Sequence, residues 1–313
     1  MSPRPNLLLI LPPGWGRYWD EPLAAADVRT LMDGQDRYAP EEIDYVLGFR
    51  PRPGFLKTLP KLKAIFSLGA GIDGFLGDPD FPRQVPLIRF VDETLSREMA
   101  QYIVMHVLIQ HRGERMFQAA QREAKWRQAM LARQTEDTRV GILGMGEIGS
   151  VAARRLRDLG FAVSGWSRTK KEIDGVRSFV GGDEREAFLA QCDFLVCVLP
   201  LTPETRHILN AKLFAKLPKD AYVINVARGG HLLEADLIAA LDSGQLSGAT
   251  LDVYEQEPLP ETSPIWTHPK ITATPHIAAI TSPAAAARYV IDGIAAMERG
   301  EMLKNVVDMT RGY

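Results

Sequence analysis

The sequence predicts an α/β fold built on a parallel, helix-flanked sheet, and three observations carry that prediction. Short apolar runs alternate with helical or polar stretches along most of the 313 residues, which is the rhythm of strand–helix–strand units. The apolar run Val140-Gly141-Ile142-Leu143 passes directly into Gly144-x-Gly146-x-x-Gly149, and a helical pattern follows through Val151, Ala152, Leu156 and Leu159. Hydrophobic residues make up 46% of the chain, enough to bury a substantial core in one large or two ordinary domains.

Taken in order, Leu7 to Leu11 reads as a strand and Glu21 to Met32 as a helix. Ile43 to Phe49, Lys63 to Leu68 and Leu87 to Val91 read as further strands. Gly69-Ala70-Gly71 follows one of them directly, either as a plain turn or as a loop whose N–H groups hold a carboxylate. Thr94 or Ser96 can cap a helix from about Arg97 past His111, with Met99, Tyr102, Ile103, His106, Val107 and Ile109 on its buried side. His106 and His111 read as packing or surface residues. A second helical stretch, Arg115 to Ala132, is basic, carries Trp126 and reads as a solvated face. Beyond the glycines, strands are expected at Phe161 to Trp166, Asp193 to Leu199, Ala221 to Val226, Ala249 to Val253 and Ile271 to Thr274. Helical stretches are expected at Glu184 to Ala190, Asn210 to Leu217 and Glu234 to Leu241.

Composition excludes several function classes. A formal charge of -2 gives no footprint for nucleic acid. Cys192 and Cys197 lie in an apolar run and read as buried thiols of a reducing compartment. Cys–His metal spacing is absent, so no metal is expected. Leu7 to Leu11 is too short for a signal peptide and ends at Pro12-Pro13, and no apolar run is long enough to span a bilayer. A soluble, cytoplasmic protein is expected.

The glycine triplet implies dinucleotide chemistry. The first glycine permits a tight turn, the second lets backbone approach a pyrophosphate, and the third lets helix and strand pack closely. The following helix start offers unpaired N–H groups and partial positive charge to phosphates. Gly144, Met145, Gly146, Glu147, Ile148 and Gly149 are therefore the expected phosphate loop. An acidic residue about twenty positions on would hold a ribose 2′-hydroxyl. Here the second strand ends in Ser167-Arg168-Thr169-Lys170-Lys171, side chains suited to a 2′-phosphate. NADP(H) is the expected cofactor, with NAD(H) possible.

Ligands of such sheets bind beyond the carboxyl ends of the strands, which directs attention to Pro200, Arg228, Asp252 to Glu257, and Pro275-His276. Arg228, in Asn225-Val226-Ala227-Arg228-Gly229-Gly230, can present a planar fork to a carboxylate and a neighbouring carbonyl, or can be a structural ion pair. Glu257 alone reads as a solvated carboxylate, and His276 alone as a core histidine. Together they form a coherent reductase set: a cation to orient an α-keto acid, an imidazole to protonate its carbonyl oxygen, and a carboxylate to sustain the imidazolium.

These residues sit in motifs that name a family. Gly141 to Gly149, Cys192 to Thr205, Ile224-Asn225-Val226-Ala227-Arg228-Gly229, Leu251 to Leu259 and Thr274-Pro275-His276-Ile277-Ala278, in this order, resemble the D-isomer-specific 2-hydroxyacid dehydrogenases. The likeness runs from about Phe66 to the C-terminus. Ser67 to Asp73 and Trp166-Ser167-Arg168 look like the glyoxylate/hydroxypyruvate reductase A branch. The resemblance implies two Rossmann-like lobes with an active-site cleft between them. The substrate-binding lobe would comprise 1–98 and 283–313, and the dinucleotide-binding lobe 99–282. The helix from about Ser282 to Arg299 would return to the first lobe. It implies Arg228 as substrate-binding arginine, Glu257 as carboxylate partner and His276 as acid/base. Asp252 would lie near the nicotinamide carboxamide, and the backbone amides of Ala70 and Gly71 would receive the substrate carboxylate. Leu199, Pro200, Val226 and Ala227 fall among the cofactor contacts. A homodimer through the nucleotide lobe, using the helices around Met99 to Ala132, is also implied.

Two departures from the family pattern stand out. Leu199 replaces the polar residue common before this proline. Gly48-Phe49-Arg50-Pro51-Arg52-Pro53 lacks the expected tryptophan, so Phe49 would take that space, and Arg50 or Arg52 could add affinity for a second acidic group. The resulting expectation is NADPH-dependent reduction of a small 2-keto acid such as glyoxylate or hydroxypyruvate. Alternatives are an NAD-linked enzyme for a bulkier acid such as phenylpyruvate and a nucleotide-sensing corepressor on the same fold. A formate-type dehydrogenase would carry an amide where Glu257 stands.

Overall fold

The computed structural model describes residues 4–24, 26–90, 93–129 and 133–309. The chain divides into two compact units, one comprising 1–92 with 281–313 and the other 93–280.

The first unit opens with β1 (Asn6–Ile10), α1 (Asp20–Ala24), β2 (Arg29–Met32), β3 (Tyr45–Gly48), β4 (Ala64–Ser67), α2 (Asp73–Leu76) and β5 (Leu87–Ile88). Its strands pair in parallel in the order β2-β1-β3-β4-β5. Every residue of β3 and β4 is buried, which is why these strands read as continuous apolar runs. The helix expected over Glu21 to Met32 is corrected: α1 stops at Ala24, and Arg29 to Met32 pairs with Asn6 to Leu9 instead. This edge strand buries only Leu31, so it shows no period-2 signal. Val91, expected in the last strand, lies outside the described residues.

The second unit contains α3 (Glu93–His111), α4 (Glu114–Arg122), β6 (Arg139–Leu143), α5 (Glu147–Asp158), β7 (Ala162–Ser167), β8 (Val176–Val180), α6 (Arg185–Leu189), β9 (Phe194–Cys197), α7 (Ala211–Phe214), β10 (Ala221–Asn225), α8 (Glu234–Asp242), β11 (Leu246–Leu251) and β12 (Ile271–Ala273). The seven strands run parallel in the order β12-β11-β10-β9-β6-β7-β8. One core holds Phe188, Leu195, Phe214, Val223 and Leu251. Another holds Ile103, Ile142, Leu156, Val196 and Ile224. Alternate residues of β9 and β10 thus serve two separate cores, the arrangement a sheet with helices on both faces requires.

Three expectations change here. α3 begins at Glu93, so Thr94 and Ser96 lie inside it and do not cap it. It ends at His111, because Gly113 takes a left-handed conformation, φ 68°, before α4. α4 stops at Arg122, well short of Ala132, which lies outside the described residues, and leaves Trp126 94% exposed. β8 was not expected at all. It is an edge strand of exposure-alternating, partly polar sequence, Val-Arg-Ser-Phe-Val.

After the second unit the chain enters α9 (Pro283–Glu298). Ser282 caps it by accepting a hydrogen bond from the Ala285 N–H, and Pro283 occupies the first turn, a favourable start because proline lacks the donor that would go unpaired there. The helix is tied to the first unit by Tyr289, whose hydroxyl donates to the Arg89 carbonyl at 3.0 Å. Glu298 adds a second tie by accepting from the Tyr45 hydroxyl at 2.6 Å. Among the described residues no helix is long and apolar enough to cross a membrane. Cys192 and Cys197 are buried free thiols, and burial pushes the Cys197 thiol up to about 12.

His106 is packed, as its position on α3 suggests. Its ring lies 4.3 Å from that of Tyr102, and its Nδ1 is 3.4 Å from the Thr250 hydroxyl. Among the described residues Nε2 has no hydrogen-bond partner. Burial pushes its pKa down from 6.5 to about 4, because an imidazolium there would lose hydration without gaining an acceptor. The neutral ring therefore stabilises the fold fully above pH 6.5, and that contribution is lost as pH falls from 6.5 through 4. It amounts to about 3 kcal/mol. His106→Leu should gain stability relative to the parent as pH drops from 7 to 4.5, measured by urea midpoints. A gap between the two proteins that does not change with pH would refute the assignment.

Candidate active site

The turn between β6 and α5 is shaped by close backbone packing. Gly144 adopts φ +106°, a region closed to most side chains. A Cβ on Gly149 would lie 1.9 Å from the Gly144 carbonyl oxygen, so α5 begins in contact with the turn itself. Gly146 and Glu147 are exposed and Ile148 is partly so. Gly146, as N-cap, supplies no side-chain acceptor to the first-turn N–H groups. Those donors, and the open space beside Gly146, fit a pyrophosphate. Met145 differs from its neighbours: its side chain is buried in the second-unit core, leaving only its backbone for a ligand.

β7 ends at Ser167, whose hydroxyl donates to the Thr169 carbonyl at 2.7 Å. Arg168, Thr169 and Lys170 are exposed beyond it. A hydrogen bond from Thr202 and, more weakly, the charge of Arg168 hold the Glu204 carboxyl below its ordinary range. The residues at this strand end are basic or hydroxylic, which suits a 2′-phosphate better than a bare ribose. Beyond β9, Leu199 packs against the core, while Pro200 is exposed.

β10 delivers Arg228 through a turn built by neighbours. The buried Asn225 accepts from the Ala227 N–H at 3.2 Å and donates to the Arg228 carbonyl at 3.0 Å. Val226 and Ala227 are buried, and Arg228 Nη1 donates to the Ala227 carbonyl at 2.7 Å. Gly229 abuts the next strand-end loop so closely that a Cβ would stand 1.8 Å from the Tyr254 carbonyl carbon. His231, fully buried, places Nδ1 3.2 Å from the Arg228 nitrogen and Nε2 3.2 Å from the Pro200 carbonyl.

Glu257 and His276 meet. His276 Nδ1 lies 3.0 Å from Glu257 Oε2, and Glu257 Oε1 accepts from the Tyr254 N–H at 3.2 Å. The carboxylate thereby fixes the orientation of the imidazole through Nδ1. The histidine sits at φ 57°, a conformation sparsely populated by residues with a Cβ. Asp252, 1% exposed, holds it there. Its carboxylate accepts from the N–H groups of Ile277 and Ala278 at 2.9 and 2.8 Å and from the Thr274 hydroxyl at 2.6 Å. The His276 N–H itself donates to the Asp252 carbonyl at 2.8 Å. Asp252 is thus the clamp of the histidine loop.

In the first unit, Ala70 and Gly71 follow β4 and are partly exposed. Ser67 orders the start of their loop by donating to the Gly69 carbonyl at 3.0 Å. Phe49 is partly buried with the Arg50 guanidinium 5.2 Å from its ring centre, and Arg52 pairs with Asp33 at 3.3 Å. Asn225 and His231 escaped the sequence reading. A polar residue closing a buried strand and a histidine directly after two glycines were the available signals. Among the described residues no group of three or more His, Cys, Asp or Glu side chains is placed to hold a metal.

Residues 104–278 match the family described as D-isomer specific 2-hydroxyacid dehydrogenase, NAD binding domain. A curated relative, glyoxylate/hydroxypyruvate reductase A of Serratia proteamaculans, is 44% identical over 296 residues, 93% of each chain. A D-isomer specific 2-hydroxyacid dehydrogenase from Xanthobacter autotrophicus, solved in complex with NADPH and MES, superposes with TM-score 0.92 at 41% identity, covering 99% of this chain and 100% of that one. The NADPH-dependent glyoxylate/hydroxypyruvate reductase of Sinorhizobium meliloti, solved with NADP and sulfate, gives TM-score 0.93 at 40% identity with the same coverage. The chain therefore belongs to the D-isomer-specific 2-hydroxyacid dehydrogenase family and is an NAD(P)-dependent oxidoreductase.

Proposed function

We propose that the enzyme reduces small 2-keto acids, glyoxylate and hydroxypyruvate foremost, to D-2-hydroxy acids with NADPH. The observation that carries this reading is the 3.0 Å pairing of His276 with Glu257, a proton donor backed by a carboxylate at the carboxyl end of a dinucleotide-type sheet. The names and ligands of the relatives support the substrate and the coenzyme.

Gly144, Gly146 and the first turn of α5 hold the pyrophosphate. Ser167, Arg168, Thr169 and Lys170 hold the 2′-phosphate, and Leu199, Pro200, Val226 and Ala227 line the rest of the coenzyme site. Bound there, the reduced nicotinamide supplies the hydride. Arg228 and the Ala70 and Gly71 amides fix the substrate carboxylate, and Arg228 also polarises the ketone. Phe49 is the further substrate contact proposed from the first unit. His276 gives its Nε2 proton to the carbonyl oxygen as that oxygen gains charge, while Glu257 orients the ring through Nδ1. Asp252 contributes through the loop it clamps.

NADPH absorbance followed with glyoxylate and with hydroxypyruvate tests the proposal. Steady consumption is expected, and binding of NADPH without turnover on any 2-keto acid would favour a sensor instead. Arg168→Ala should raise KM for NADPH about 10-fold while leaving NADH kinetics unchanged, since one charge-assisted phosphate contact is worth roughly 1.4 kcal/mol. Equal losses with both coenzymes would count against 2′-phosphate recognition.

A further inference from the structure

We infer that His231 is a positioning residue that couples coenzyme occupancy beside Pro200 to the setting of Arg228. The inference rests on the coenzyme and substrate roles proposed above. His231 is fully buried in a short turn that follows Arg228 directly. Its two ring nitrogens face different loops. Nδ1 lies 3.2 Å from the Arg228 nitrogen, and Nε2 lies 3.2 Å from the Pro200 carbonyl oxygen. Nδ1 also lies 3.1 Å from the Arg228 carbonyl oxygen, but that oxygen already accepts from Asn225; the neutral ring with its proton on Nε2 can donate to the Pro200 carbonyl and accept from the Arg228 N–H at once.

The surrounding backbone makes that ring a linkage between two segments. The His207 N–H donates to the Gly230 carbonyl at 2.9 Å, the Leu209 N–H to the His231 carbonyl at 2.8 Å, and the Leu233 N–H to the Leu209 carbonyl at 3.0 Å. The segment running from Leu199 through Leu209 is thereby laced to the segment carrying Arg228. At its near end the imidazole takes up the lacing, since Pro200 lacks an N–H to donate. The Pro200 carbonyl also accepts from the Thr205 hydroxyl at 2.7 Å, so this peptide is held from two sides. A coenzyme packed on Leu199 and Pro200 fixes that peptide. Through His231 it also fixes the backbone from which the Arg228 guanidinium extends, so a carboxylate meets an arginine already in place.

Two variants separate coupling from bulk structure. His231→Asn retains an acceptor near Nδ1 but is too short to reach Pro200, and His231→Leu removes both contacts at similar volume. The readout is the affinity of oxamate, a non-reducible 2-keto acid analogue, measured calorimetrically with and without saturating NADP⁺, alongside thermal midpoints. In the parent enzyme NADP⁺ should tighten oxamate binding about 10-fold, within the usual range of such couplings. In both variants that factor should fall to about 2-fold or less. His231→Asn should keep the oxamate affinity of the coenzyme-free parent. A lowered thermal midpoint with an unchanged coupling factor would make His231 merely structural and overturn the inference, as would a parent enzyme with no coupling. A parent enzyme that oxidises no NADPH with any 2-keto acid would overturn the functional reading itself.

Discussion

Replacing His276 with alanine should lower kcat for glyoxylate reduction by about 10³-fold, the usual scale for loss of a positioned general acid, with little change in KM for NADPH. The imidazole is held through Nδ1, 3.0 Å from Glu257 Oε2, which fixes the direction in which its other nitrogen is presented. Its partner should matter less but in the same direction. Glu257→Gln keeps the volume and an oxygen, loses the charge that faces Nδ1, and should cost on the order of 10²-fold in kcat. Because the two residues act as one unit, the double variant should be scarcely worse than His276→Ala. Steady-state kinetics on the four proteins checks this. A His276→Ala enzyme within a few-fold of the parent would remove the imidazole from the mechanism, and fully additive losses would separate the two residues.

Gly229→Ala should be the most disruptive single methyl group in the second unit. Its Cβ would stand 1.8 and 1.9 Å from the Tyr254 carbonyl carbon and oxygen and 2.3 Å from the Glu255 nitrogen. All three are backbone atoms, so no side chain can swing aside. The loops bearing Arg228 and Glu257 would have to part. Overpacking of this kind costs about 3 kcal/mol, a fall in Tm on the order of 10 °C for a unit of this size. Keto acid turnover should suffer even well below Tm. Gly146→Ala provides the contrast. A Cβ there meets nothing within 4 Å, and the backbone is extended, φ -74° and ψ -159°. Its Tm should match the parent while KM for NADPH rises about 10-fold, because the methyl group occupies the space where a pyrophosphate approaches the backbone. Thermal melts and coenzyme kinetics on both variants distinguish a glycine needed for packing from one needed for a ligand. Similar Tm values for the two would defeat the argument.

What could be read from the chain follows from how local each signal is. β3, β4, β9 and β10 announce themselves because both faces are buried and, apart from the closing Ser67 and Asn225, the residues are largely apolar. The two edge strands that escaped, β2 and β8, bury one residue each, so their pairing is visible only once a neighbour is in place. α1 shows the opposite failure. A helical pattern through Met32 is locally acceptable, but backbone pairing with β1 outweighs it. The histidine, the carboxylate and the arginine were legible because each lies in the loop that leaves the carboxyl end of a strand. Their supports were not. Asn225 shapes its own loop through Ala227 and Arg228, His231 reaches the Pro200 carbonyl, and Asp252, read only as a neighbour of the nicotinamide, ties the Ile277 and Ala278 amides; nothing in the identity of a buried polar residue tells which N–H or carbonyl it will meet.

The clamp under the histidine has a consequence for timing. One interior carboxylate gathers two amides and a hydroxyl and keeps His276 in a backbone shape it would otherwise leave. The work of aiming the imidazole is therefore done when the polypeptide folds, before any ligand arrives. If His276 is the proton donor proposed above, each turnover inherits it already on target, and the reaction barrier is spared the reorganisation that a loosely held ring would demand.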